Sequence, residues 1–113
     1  GNTVVVLADE SAPLAAVTLA EVLATSDVPG GVVNILTGQP PETAPWLASH
    51  ADVNALDLSG VSDPELAKSL EVEAAGTLKR VVRPSEQDWA AEPELKRMTA
   101  FLETKTVWHP KGV

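Results

Sequence analysis

The feature that most constrains this chain is its regular exchange of two hydrophobic rhythms. Four short runs rich in Val, Ile and Leu, at residues 3–7, 32–36, 53–58 and 78–83, alternate with stretches in which apolar residues recur at helical spacing. Runs of five or six apolar and β-branched residues read as buried strands, and the stretches between them as helices. Strands joined by helices are most simply parallel, because the helix carries the chain back to the starting end of the sheet. Right-handed crossovers then lay those helices on its faces. The predicted fold class is therefore α/β, an open, mainly parallel sheet with flanking helices, plus a C-terminal helix and strand. The strands begin at uneven intervals, so no repeat architecture is supported.

Local punctuation sets the expected boundaries. Ser11 is placed to cap a first helix over residues 12–25, with Pro13 tolerated in its first turn. Thr18, Glu21 and Thr25 form its wet stripe and leave Leu14, Val17, Leu19, Val22 and Leu23 to pack. Pro29-Gly30-Gly31 breaks the chain before the second strand, which closes at Thr37-Gly38-Gln39-Pro40-Pro41 ahead of a short helix over 42–49. Ser62-Asp63-Pro64-Glu65 reads as a capping box, with Glu65 three residues after the cap. The helix it starts turns Leu66, Ala67, Leu70 and Ala74 inward and stops at Gly76. After the fourth strand comes the polar, Pro-flanked stretch PSEQDWAAEP, then a helix over 94–102. Residues 104–109 read as a last strand with Thr104, Thr106 and Trp108 on one face.

Charge and composition narrow the function classes. The 113 residues carry 16 Asp and Glu against 8 Lys and Arg, a net charge of −8. That field repels a phosphate backbone, so nucleic acid is not an expected partner. With no Cys in the chain, disulfides, thiolate metal sites and a Cys nucleophile are excluded within it. No apolar run approaches the roughly 18 residues needed to span a bilayer, so no membrane partner is expected, and the reading is of a cytoplasmic, soluble chain. His50 and His109 lack the spacing of a metal site, and Glu71 and Glu73, two apart on a helix, point to different sides. Trp46, Trp89 and Trp108 show no stacking spacing. Trp108, on a terminal strand, is either a core anchor or a subunit contact.

Taken in order, several segments resemble the aldehyde dehydrogenase superfamily. GNTVVV resembles the strand leading into that family's K-P-S-E cofactor segment, and LAEVLATSDVPGGVVNILTG is similar to the next helix, its P-x-G-V-x-N turn and the following strand. LASHADVNALDLSG resembles the stretch from S-H-P-x-V to F-T-G-S, AAGTLKRV the segment before E-L-G-G, and MTAFLETKTVWHP the C-terminal end that takes part in subunit association. The resemblance implies a Rossmann-like, partial nucleotide-binding domain over 1–84. It further implies a linker over 85–93 in place of the catalytic domain, and a C-terminal helix and association strand over 94–113. It also implies that Gly1 is an internal residue of a longer protein.

The same resemblance shows which chemistry the residues lack. The family oxidises aldehydes with a Cys nucleophile, a Glu base and NAD or NADP as hydride acceptor. Here no Cys exists, and Pro84, which cannot transfer a proton, falls at the place of the base, with Glu86 near but out of register. No catalytic residue is therefore assigned, and no metal site. Glu10 keeps the ribose-binding carboxylate of the cofactor segment, but Leu7 stands where that segment has Lys. Ser59 and Gly60 keep part of the phosphate-side signature, while Glu65 stands at or close to its second glycine. A helix N-terminus attracts anions, and the Glu65 carboxylate already occupies that field. NAD or NADP is implied by the family, and no cofactor is expected to bind tightly. Two functions follow. The first is a fragment that is non-catalytic by itself, an accessory or pseudoenzyme chain with a structural role in a homo-oligomer or against another aldehyde-dehydrogenase-like chain. The alternative is the cofactor-binding part of an active NAD(P)-dependent aldehyde oxidoreductase.

Overall fold

A computed structural model describes residues 1–86, 88, 90–92 and 94–112. The reading of Trp89, and of the linker at Gln87 and Pro93, lies outside the described residues. The chain folds in the order β1 (Val4–Leu7), α1 (Pro13–Ala24), β2 (Val33–Leu36), α2 (Pro40–Ser49), β3 (Ala55–Asp57), α3 (Pro64–Ala75), β4 (Arg80–Val82) and α4 (Leu95–Thr99). This is the α/β alternation expected of an open, Rossmann-like fold. β1 pairs with β2 in parallel, Val4 opposite Val33 and Leu7 opposite Leu36. β3 pairs in parallel with β4, Ala55 opposite Arg80 and Asp57 opposite Val82. The four strands form two sheets of two strands, not one continuous sheet. α2 crosses from the first pair to the second, packing on α3 and touching β1.

Burial is concentrated in the second half. Ala48 of α2, Leu58 after β3 and Leu70 of α3 form the core cluster, with Ala44, Leu56, Val61, Leu66 and Val81 packed against it. Ala67, Leu70 and Ala74 of α3 are buried as their spacing predicts, Leu70 to 1% exposure. Full burial of one such side chain is worth about 1.5–3 kcal/mol, so this cluster is what holds α2 and α3 on β3 and β4. Lys79 ties the same region together. Lys79 is buried, and its ammonium donates to the carbonyl of His50 and, at 2.6 Å, to Thr77 Oγ1. An exposed pair, Arg83 Nε to Glu71 Oε1 at 3.0 Å, joins the end of β4 to α3.

The first half differs from expectation. None of the residues of α1 is buried, and Leu14, Leu19 and Val22 stand open instead of packing, Leu14 at 77% exposure. Val4, Val5 and Val6 of β1 are exposed on both faces of the strand. A two-stranded sheet presents too little apolar surface to cover a helix face, which leaves the apolar stripe of α1 uncovered.

Three boundaries also move. Ser11 does not cap α1; the cap position is Ala12, whose methyl cannot accept a hydrogen bond, and the Ser11 hydroxyl donates to Asp9. Asp63, not Ser62, caps α3, its Oδ1 accepting the Glu65 N–H at 2.9 Å, and Pro64 follows at the first helical position. Proline fits there because its missing N–H has no intrahelical partner in any case. Gly76 ends α3 in a right-handed conformation, and it is Leu78, at φ 55°, that reverses the chain. A left-handed leucine costs about 1–2 kcal/mol; Leu78 is 93% exposed, and the turn is closed by Lys79 N–H to the Ala74 carbonyl at 3.1 Å. The fourth strand therefore starts at Arg80 rather than at residue 78.

The C-terminal part is shorter in regular structure than expected. α4 covers Leu95–Thr99, not 94–102, and residues 104–109 form no strand. Val107 and Trp108 are exposed, Trp108 at 89%, which removes the core-anchor reading of that tryptophan. Two contacts fix the segment before them: Arg97 Nη2 to Asp57 Oδ2 at 3.3 Å, and Asn2 Nδ2 donating to the Phe101 carbonyl at 3.2 Å. No helix among the described residues is long and apolar enough to cross a membrane.

Candidate functional site

In open α/β sheets, ligands gather at the carboxyl ends of the strands, where the chain turns into the following helix. β1 ends on Leu7, half-buried, followed by buried Ala8 and then Asp9-Glu10-Ser11. The Asp9 carboxylate accepts the Ser11 hydroxyl at 2.7 Å and the Ser11 N–H at 2.8 Å. Those bonds, the hydroxyl first, hold the Asp9 carboxyl below its ordinary pKa, because each favours the charged form. β3 ends the same way. Asp57 Oδ1 accepts the Ser59 N–H at 2.9 Å and the Ser59 hydroxyl, while Oδ2 takes Arg97. Asp-x-Ser thus recurs after β1 and after β3, each time with the aspartate closing the turn on the serine, a local use of the side chain that competes with helix capping. Ser11 lies one residue before the cap position, Ala12, and its hydroxyl proton goes to Asp9.

The expected binding residues fall on these two turns. Glu10 lines a shallow open depression of about 430 Å³ with Ser11, Pro13, Thr37, Gly38 and Gln39, between the ends of β1 and β2. Gly38 sits at φ 148°, a conformation that side chains rarely adopt, so the strand-end turn needs a glycine. Ser59 and Gly60 lie after β3 on the other sheet and do not line that depression, so the structure does not gather Glu10 with Ser59 and Gly60 into one pocket. Glu65 is in the first turn of α3, its N–H already taken by Asp63. Sequence reasoning passed over Asp9 and Asp57; the signal that could have found them was the repeated Asp-x-Ser at equivalent strand ends.

The remaining candidates have local partners. His50 Nδ1 accepts the Asp52 N–H at 3.2 Å, Glu71 pairs with Arg83, and Pro84 and Glu86 lie exposed beyond β4. Among the described residues no group of three or more His, Cys, Asp or Glu could hold a metal ion. What the strand-end turns can do is hold neutral or cationic groups. Asp9, Glu10, Asp57, Asp63 and Glu65 put carboxylates at each of them, and the Arg97 guanidinium nearby is engaged by Asp57.

Comparison with known proteins gives a consistent result. The sequence profile described as the aldehyde dehydrogenase family matches residues 1–83. A 2-hydroxymuconic semialdehyde dehydrogenase of Pseudomonas sp. (strain CF600) is 44% identical over 61 residues, 53% of this chain and 13% of that protein. Aldehyde dehydrogenase, cytosolic 1 of Mus musculus and aldehyde dehydrogenase 1A1 of Homo sapiens are each 40% identical over 83 residues, 72% of this chain and 16% of theirs. The chain thus spans about a sixth of the length of such relatives. No solved structure gives a significant match. The family match stops short of the C-terminal helix and tail, and covers the four strands and three helices that carry the strand-end turns. The chain belongs to the aldehyde dehydrogenase family.

Proposed function

We propose that this chain is non-catalytic by itself and serves a structural role, associating with a like chain or with another aldehyde-dehydrogenase-like subunit. The single observation that carries this reading is the unfinished half of the fold: α1 buries none of its residues, and β1 is exposed on both faces. Apolar surface of that kind marks an interaction site. The residues also lack the family's chemistry, with no Cys in the chain and Pro84 at the place of the base, so acyl transfer through a thiolate has no nucleophile here. A cytoplasmic setting belongs to the same proposal and is supported by the cysteine-free sequence and by relatives named as cytosolic.

The family uses NAD or NADP as hydride acceptor, and the residues present fit only part of such a cofactor. Glu10, in the depression after β1, could hold a ribose hydroxyl. Leu7 offers no cationic partner, and Asp57, Asp63 and Glu65 put carboxylates on either side of Ser59 and Gly60, the turn that the resemblance gives to the phosphates. Like charges at a helix N-terminus remove its attraction for anions. Binding weaker than millimolar is expected, less than about 4 kcal/mol. Calorimetric titration with NAD and NADP tests this, and a micromolar constant would instead favour the alternative, the cofactor-binding part of an active NAD(P)-dependent aldehyde oxidoreductase. The depression at Glu10 is the observation that keeps that alternative in play.

A further inference from the structure

α4 is too short to stand by itself. It has five residues, Leu95–Thr99, and its cap residue Glu94 makes no side-chain bond. An isolated helix below about 12 residues is marginal in water, so this one keeps its shape by docking. Arg97, Ala100 and Phe101 are half-buried and recur at helical spacing, while Leu95, Met98 and Leu102 stand exposed. Three of the segment's four large apolar side chains therefore face water, and burial contributes little to holding it in place.

Polar contacts do the fastening. Arg97 Nη2 meets Asp57 Oδ2 at 3.3 Å at the end of β3, and the Phe101 carbonyl accepts Asn2 Nδ2 at 3.2 Å. Asp57 serves two elements at once. Its Oδ1 accepts the Ser59 N–H at 2.9 Å and the Ser59 hydroxyl, leaving Oδ2 to the guanidinium. One carboxylate thus closes the turn after β3 and holds α4 against it. Side-chain exposures of 32% for Arg97 and 37% for Asp57 leave the pair within reach of dissolved ions. A pair so exposed shifts an equilibrium only about two- to fivefold, and salt screens it. A helix that cannot stand alone, little buried apolar surface and a solvent-accessible ion pair together place this segment at the low-stability end of the molecule.

We propose that residues 94–102 form a strap with an ionic latch. Arg97 on Asp57 holds it closed against the end of β3, and screening of the pair, or competition for either charge, opens it. The core of Ala48, Leu58 and Leu70 and the residues packed on it all precede α4, so opening leaves the body folded. It uncovers Phe101 and leaves the Asp57 carboxylate to Ser59 alone. The open fraction is then set by ionic strength and by any small ion that pairs with a guanidinium or a carboxylate. The strap closes within one chain, and it stands or falls separately from the associative reading.

The test is limited digestion of the full chain with a protease that cuts after lysine. Lys96 lies in the strap, and Lys105 lies beyond it in the exposed tail. Cutting at Lys96, timed by mass spectrometry against Lys105, reads the open fraction when opening is fast. D57N keeps an oxygen for the Ser59 turn and removes the charge that Arg97 meets, and R97Q removes the same pair from the other side. At low salt Lys96 is expected to be cut more slowly than Lys105. Relative to Lys105, its rate should rise about two- to fivefold at high salt. Each variant should show the same rise already at low salt, with no further response to salt. The Leu70 amide should exchange alike in all three chains. Lys96 cut as fast as Lys105 at every salt concentration would mean that no strap is closed. Slow cutting that neither salt nor either variant changes would mean that Phe101 and Asn2 hold the segment, and would overturn the latch. If D57N also loosens Leu70, R97Q carries the test; loosening in both would make the pair part of the body fold and overturn the strap as a separate element.

Discussion

Asp9 and Ser11 show how much a single turn decides at the end of a strand. Ser11 was legible as a helix cap because serine before a proline and an apolar run usually is one. The structure spends its hydroxyl on Asp9 instead, and no periodicity argument could have chosen between those two partners. The consequence is measurable. Because the folded-state pKa of Asp9 is lowered, its contribution is present above the unfolded value and is lost as pH falls through the folded one. In a carboxylate-detected NMR titration, Asp9 is expected to titrate below a free aspartate, and S11A should move its midpoint up towards that reference. An unchanged midpoint in S11A would remove Ser11 as the cause. Core residues separate just as clearly. L70A is expected to cost about 2–5 kcal/mol in urea unfolding. L14A, at an open position that the sequence reading placed in the core, should stay within about 0.5 kcal/mol.

At the level of elements, the parallel strands, the crossover helices and the inward face of α3 were all readable from alternating periods. Such patterns survive because Leu70 and Ala74 have a sheet to pack on. The apolar stripe of α1 has the same rhythm and finds none, which is why the identical signal gave the wrong burial there. Boundaries were less legible. Ser62 and Asp63 are both good caps, and the backbone selects Asp63, since Pro64 suits the first helical position. D63A is therefore expected to lose about 0.5–2 kcal/mol, and S62A close to nothing, in paired denaturation curves. Equal losses would restore the capping box. Leu78 was read as the start of a strand because it is apolar, but it sits in the left-handed turn. L78G should be tolerated or mildly stabilising, since glycine relieves the steric conflict at a site that buries nothing; a loss above 1 kcal/mol would contradict this.

For the molecule as a whole, the family was legible from five segments in order, and the comparisons carry the first 83 residues of that reading. Of the candidate binding residues, the sequence made legible their place along the chain and not their grouping in space. Glu10, Ser59 and Gly60 were placed on strand ends, yet the split of the sheet into two pairs keeps them out of one depression. A sequence pattern gives strand direction but not whether neighbouring wings meet. The acidic turns explain why affinity for a dinucleotide should be low, and E65G alone should tighten it little, because Asp57 and Asp63 remain. The central claim, that this chain works by association and not by catalysis, is tested most directly by sedimentation equilibrium on the full chain and on a chain ending at Glu103, with far-UV spectra of both. The account predicts an oligomer for the full chain and a monomer of unchanged helix and sheet signal for the shortened one. A full chain that stays near its 11.8 kDa monomer mass at every concentration would contradict it, and a shortened chain that still associates would move the contact from the tail to α1 and β1.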